Sequence, residues 1–165
     1  DKKLYNYLKD FLPSVSFQND SLIIPFEEAS LKTHSFDLKN TPDALPALAC
    51  IASLAKGETS FFGIDICRYK ECNRVRAIAN ELSKLGVHTV EEKDSLVVMG
   101  QGSIKGGARL SSYNDHRIAL SLIGISLSLL QDEWAIIENV ECCNISYPYF
   151  ISTLRSFGAR VEETK

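Results

Sequence analysis

Two stretches of the chain, 44–55 and 118–130, are apolar or small at almost every position, and the spacing predicts helices buried on all sides. A third stretch, 71–85, reads differently. Val75, Ile78, Ala79, Leu82 and Leu85 recur at helical spacing with polar residues between them, and Gly86 follows as a stop. This pattern predicts an amphipathic helix with one solvent face. Around these helices lie short strands, at 59–62 and at 134–137, and Phe61, Phe62, Ile64 and Ile66 mark a strand with partial alternation.

The pattern repeats. Segments 8–24 and 82–98 share a helix end, a short strand, a turn holding Asp-Ser and an apolar strand. Segment 154–163 repeats the helix end, the glycine and the first of those strands. Pro42-Asp43 opens one apolar helix and Asn114-Asp115 opens the other. The period is about 70 to 75 residues, too long for common solenoids and suited to a βαβαββ unit. The expected division is the tail of one unit over 1–30, a complete unit over 31–101 and most of another over 102–165. The start lacks an initiating Met, which with the interrupted repeat suggests a piece of a longer chain.

Composition narrows the function classes. The chain has 165 residues and a net charge of −3, so a general nucleic-acid surface is not expected. The longest apolar runs fall short of the roughly 20 residues that span a bilayer. Cys50, Cys67, Cys72, Cys142 and Cys143 are odd in number and form no Cys-x-x-Cys pair. Reduced thiols in a cytoplasmic setting are expected, without a metal site.

The candidate chemistry lies at the helix starts. Asp43 and Asp115 are placed to cap the two apolar helices. His116 and Arg117 sit in a first turn, where the helix dipole disfavours cations. Positive charge there, beside free backbone amides, suits a phosphate or carboxylate. Lys70, Glu71 and Arg74 crowd the start of the amphipathic helix. If the units pack around a common axis, these starts gather on one face. That face would suit a substrate of several negative charges and a reaction that moves protons.

The same segments resemble the EPSP synthase family. The resemblance rests on Pro42-Asp43-Ala44-Leu45-Pro46, Lys70-Glu71-Cys72-Asn73-Arg74, Asn114-Asp115-His116-Arg117-Ile118-Ala119 and Ser146-Tyr147-Pro148-Tyr149-Phe150, in family order and spacing. It implies an α/β fold of repeated βαβαββ units packed around buried parallel helices, one lobe of an inside-out α/β barrel. This chain would be the C-terminal lobe, with the N-terminal lobe outside it. The implied reaction moves the enolpyruvyl group of phosphoenolpyruvate to the 5-hydroxyl of shikimate 3-phosphate, with no cofactor, in an enzyme expected to be monomeric. By position, Asp43 is the proton acceptor, Glu71 an acid/base partner, and Lys70 a contact to the acceptor substrate and the reacting centre. Arg74 and Arg117 would clamp phosphoenolpyruvate, and Asp115 and His116 would line the pocket. The departures are Cys72-Asn73 in place of Ser/Thr-Asp, Ile145 in place of a lysine, a one-residue deletion after Pro148, and Cys67 near a strand end. Two other readings share the fold: a UDP-N-acetylglucosamine enolpyruvyl transferase and a non-catalytic binding lobe.

Overall fold

The structure is a computed structural model that describes residues 2–24 and 31–163. Helix α1 (Lys2–Phe11) leads into a hairpin of β1 (Ser16–Gln18) and β2 (Ser21–Ile23). Asn19 and Asp20 both take left-handed φ angles, 48° and 57°. That is the two-residue turn whose twist matches paired strands, and Asn and Asp tolerate it well.

Next come β3 (Ser35–Asp37), a 3-10 turn (Pro42–Ala44), α2 (Leu45–Leu54) and β4 (Lys56–Phe62). A second 3-10 turn (Asp65–Tyr69) precedes α3 (Arg74–Lys84), β5 (His88–Glu91) and β6 (Ser95–Gln101). The four strands form one sheet in the order β3-β4-β6-β5. β3 and β4 are parallel, joined by the α2 crossover, while β6 runs antiparallel to both neighbours. The following segment repeats the crossover: β7 (Ala108–Ser111), α4 (His116–Ser126) and β8 (Ala135–Glu138), with β7 and β8 parallel. A third 3-10 turn (Val140–Cys142), α5 (Cys143–Ser146) and α6 (Phe150–Ser156) follow. The α/β character expected of the chain is therefore observed.

The core lies between the sheet and the crossover helices. The four stripe residues of α3 and Leu85 at its C-cap are all buried. Phe36 and Phe61 stack across the parallel pair with ring centroids 5.6 Å apart. Helix α2 approaches β6 so closely that a Cβ at Gly100 would lie 2.0 Å from the Ala55 carbonyl oxygen. Only glycine fits that contact, and nothing in the local sequence pattern announces it.

Three expectations need correction. The apolar helices are not buried on all sides. Ala47 and Gly124 are exposed and Ile51, Leu54 and Leu120 only half-buried. They line an apolar groove of about 260 Å³ between α2 and α4, on the side that no described element covers. The second apolar helix also ends at Ser126, short of 130. There the hydroxyls of Ser126 and Ser128 donate to the carbonyls of Leu122 and Ile125, an alternative to continued helix. Finally, no strand forms over 159–163. A strand needs a neighbouring strand to pair with, and no described strand pairs with this segment.

Candidate functional site

Three helix starts converge. Each brings its own local reason for being where it is. At α4, Asp115 is the N-cap in extended backbone, and its carboxylate accepts from the amides of Arg117 at 2.8 Å and Ile118 at 3.4 Å. At α3, the cap is Asn73, which accepts from the Arg76 amide at 3.0 Å. That leaves Lys70, Glu71 and Cys72 in the approach to the helix and puts Arg74 at its first position. At α2, the expected cap does not form. Asp43 lies inside the 3-10 turn, Ala44 is at the cap position, and neither end carries a side-chain cap. Prolines at 42 and 46 remove two amides from this start, so less capping is needed. Asp43 is thereby free to face the other two helix starts.

Arg74 is the hub. Its Nε donates to Asp115 Oδ2 at 2.7 Å, its Nη1 to Asp43 Oδ1 at 2.7 Å, and its Nη2 to Glu71 Oε2 at 2.6 Å. Its side chain is 1% exposed, and that of Asp115 is 0%. Asp43 is shared further. Lys70 Nζ lies 3.3 Å from Oδ1, and Arg117 Nη2 lies 3.4 Å from Oδ2. Arg117 Nη1 also donates to the Asp43 carbonyl at 3.4 Å. Six of the seven residues singled out in the sequence thus form one network. The seventh, His116, is half-buried in the first turn of α4, and its side chain makes no hydrogen bond among the described residues.

The electrostatics follow from this geometry. Burial pushes the Asp43 carboxyl up, but Arg117, Lys70 and Arg74 together hold it below its ordinary value. Asp115 behaves likewise: burial raises it, while Arg74 and the amides of Arg117 and Ile118 bring it below the ordinary value. Three carboxylates and three cations balance formally. An arriving anion that drew Arg117 and Lys70 toward itself would leave Asp43 a stronger base.

Beside Asp43 and Arg117 opens a cleft of about 410 Å³, lined also by Tyr7, Asn40 and Thr41. Tyr7 comes from α1, and its hydroxyl lies 2.7 Å from Thr41 Oγ1. No sequence signal marked Tyr7, because its role depends on packing between segments more than 30 residues apart. Arg117 and Lys70 are partly open to solvent, whereas the guanidinium of Arg74 is fully committed. For Arg74 to hold an anion, the half-exposed Asp43 and Glu71 side chains must turn away from it. The residues that depart from the family pattern are also accounted for. Cys72 Sγ lies 3.6 Å from Asp115 Oδ2, and burial followed by that carboxylate pushes its thiol up to about 12. Cys67 is buried and its Sγ donates to the Pro42 carbonyl at 3.2 Å, behind Asp43. Ile145 is 81% exposed on α5. Among the described residues no three His, Cys, Asp or Glu side chains cluster to hold a metal ion.

Comparison with known proteins gives this arrangement its class. The enolpyruvyl transferase NikO from Streptomyces tendae matches with a TM-score of 0.77, covering 95% of this chain and 35% of its own, at 22% identity, a likeness of fold alone. An EPSP synthase from Acinetobacter baumannii matches with a TM-score of 0.67 at 26% identity, over 77% of this chain and 30% of its own. The fold is that of the enolpyruvyl transferases. Residues 2–154 match the family described as EPSP synthase (3-phosphoshikimate 1-carboxyvinyltransferase), and the chain belongs to that family. A 3-phosphoshikimate 1-carboxyvinyltransferase from Methanocaldococcus jannaschii is 35% identical over 162 residues, 98% of this chain and 37% of that protein. One from Clostridioides difficile is 39% identical over 127 residues, 77% of this chain and 29% of that protein. The chain thus spans little more than a third of the length of the curated relatives it matches.

Proposed function

We propose that this chain, within its complete protein, transfers the enolpyruvyl group of phosphoenolpyruvate to the 5-hydroxyl of shikimate 3-phosphate and releases phosphate. The observation that carries this reading is the Asp43 carboxylate, held among cations from two other helix starts: Lys70 and Arg74 at one and Arg117 at the other. It is a base beside an anion site, on a chain whose relatives are named for this reaction.

In the proposed addition, Asp43 takes the proton of the attacking hydroxyl as its oxygen bonds to C2 of phosphoenolpyruvate. The double-bond pair accepts a proton at the methylene carbon, giving a methyl group and a tetrahedral intermediate, with Glu71 as acid/base partner. In the elimination, the bond from C2 to the phosphate oxygen breaks and phosphate leaves with the pair. The methyl group returns a proton and the double bond reforms. Lys70 and Arg117 hold the anionic groups, and Arg74 joins them once Asp43 and Glu71 turn toward substrate. Asp115 orients Arg74, and His116 lines the pocket. No cofactor enters these steps.

The proposed organisation is a C-terminal lobe, with the tail of one unit over 1–30, a complete unit over 31–101 and most of another over 102–165. A further lobe of the complete, monomeric protein would supply the remaining contacts in the cytoplasm. No helix of the described residues is long and apolar enough to cross a membrane.

The test is phosphate release by the complete protein given both substrates. Release that requires shikimate 3-phosphate supports the reading. Release with UDP-N-acetylglucosamine in its place would make it the other enolpyruvyl transferase. Binding of both substrates without turnover would make it a non-catalytic lobe.

A further inference from the structure

We propose that Glu81 is a positioning residue, which fixes Asp115 and Arg117 through the turn between β7 and α4. Helix α3 carries Arg74 and Glu81 seven residues apart, about two helical turns, so both project from one face. Arg74 bonds to Asp115 at the far end of that turn. Glu81 bonds to its near end. The Ser111 amide donates to Glu81 Oε2 at 3.0 Å, and the Tyr113 hydroxyl donates to Oε1 at 2.8 Å. One helix face thus grips residues 111 to 115 at both ends.

The turn needs the grip. Tyr113 and Asn114 both take left-handed φ angles, 53° and 57°. Such backbone is uncommon for a tyrosine and persists where its surroundings over-determine it. The buried Ser112 ties the turn to the next element, its hydroxyl donating to the Asn139 carbonyl at 2.7 Å and accepting from the Asn114 amide at 3.0 Å. Out of these two residues the chain emerges extended at Asp115, with φ −108° and ψ 117°, correctly set to cap α4 and meet Arg74.

Glu81 is also an unusual choice for a simple prop. Its side chain is 0% exposed, and a buried carboxylate costs heavily unless its charge is matched. Lys84 matches it, with Nζ 2.8 and 2.9 Å from the two oxygens. Burial pushes the Tyr113 phenol up, and Glu81 adds to this against the opposing Asn80 contact, so Tyr113 remains a proton donor to the carboxylate. The result is an acceptor of fixed orientation, in a place where an apolar residue would fill space but not direct the turn.

The kinetic part of this inference rests on the proposed enolpyruvyl transfer; the structural part does not. The test uses the complete protein carrying Glu81→Ala, Glu81→Gln and Tyr113→Phe. In Glu81→Ala, kcat/KM for phosphoenolpyruvate should fall about tenfold to a hundredfold, as displaced catalytic groups do, mostly through KM. Hydrogen exchange at the amides of Arg117 and Ile118 should quicken while α2 and β4 amides keep their rates. Glu81→Gln, which keeps an acceptor, should restore part of both effects, and Tyr113→Phe, which removes one bond and should fold where Glu81→Ala does not, should show a smaller loss of the same kind. Unchanged exchange at Arg117 and Ile118 in every folded variant would overturn the proposal. So would a fall in melting temperature with exchange raised throughout and KM unchanged, the mark of a purely structural role. If the unsubstituted protein turns over neither substrate, the enolpyruvyl reading fails, and the exchange rates still decide what Glu81 does.

Discussion

Arg74 Nε lies 2.7 Å from Asp115 Oδ2 across 41 positions of sequence, and neither side chain is open to solvent. The pair joins the first turn of α3 to the cap of α4. The dependence is unequal: without Arg74 the buried Asp115 would lose its counter-ion, whereas Arg74 also pairs with Asp43 and Glu71.

Asp115→Ala therefore removes two things at once, the partner of Arg74 and the cap of α4. Breaking a buried pair costs about 3–5 kcal/mol, and loss of a cap about 1 kcal/mol. Arg74 keeps Asp43 and Glu71, so the total should lie near the lower end, about 3 kcal/mol. Urea denaturation of the complete protein measures it. A loss below about 1 kcal/mol would mean that the pair contributes little beyond the cap.

The same carboxylate predicts a pH dependence. The folded Asp115 pKa lies below its ordinary value of 3.8. Its contribution is thus fully present above that value and is lost as pH falls through the lower, folded pKa. The denaturation midpoint of the unsubstituted protein should drop with acid in this window more steeply than that of Asp115→Asn, which has no carboxyl to protonate. Parallel curves from pH ~4 to ~2 would show that other groups govern acid stability.

The extent to which the sequence announced this site differs from residue to residue. Asp115 was legible as a cap because one residue and the helix it opens are local facts. The buried stripe of α3 was legible for the same reason. Asp43 was legible as important but not in its geometry. The two prolines produce a 3-10 turn, and the carboxylate turns from its own helix toward Arg74 and Arg117. Arg74 was expected to face substrate, yet it is the buried hub. Whether an arginine in a first turn points outward or inward depends on which carboxylates meet it, and those lie 31 and 41 residues away. Cys72, Glu81 and Gly100 owe their places to contacts of that kind, which periodicity does not carry.

Arg117 offers a prediction about binding rather than stability. Its side chain is 42% exposed, and its contacts to Asp43 are long, at 3.4 Å. Such a pair contributes little to folding, roughly 0–1 kcal/mol. Arg117→Lys keeps the charge and loses the planar two-donor edge that fits a carboxylate or phosphate. The Michaelis constant for phosphoenolpyruvate should rise about tenfold or more, the equivalent of one strong hydrogen bond, with the melting temperature nearly unchanged. An unchanged constant would remove Arg117 from the anion site, and a large fall in melting temperature would make it structural.

Asp43 gives the sharpest test of the proposed chemistry. Its carboxylate is not a helix cap, so Asp43→Asn does not disturb α2. It does replace one partner of Arg74 by a neutral amide, while Asp115 and Glu71 remain to match that buried charge. A modest change in stability is therefore expected. The amide cannot take a proton, so loss of a general base should lower turnover by about a hundredfold or more. Asparagine should also release Lys70 and Arg117 from their shared counter-ion, leaving both free for anionic substrate. The predicted signature is thus a large fall in kcat with phosphoenolpyruvate bound at least as tightly as before. Turnover, substrate affinity and melting temperature, measured together on the complete protein, separate the cases. Normal turnover would remove Asp43 from the proton transfer. A fall in affinity matching the fall in turnover would point to a binding role, with the base to be sought at Glu71.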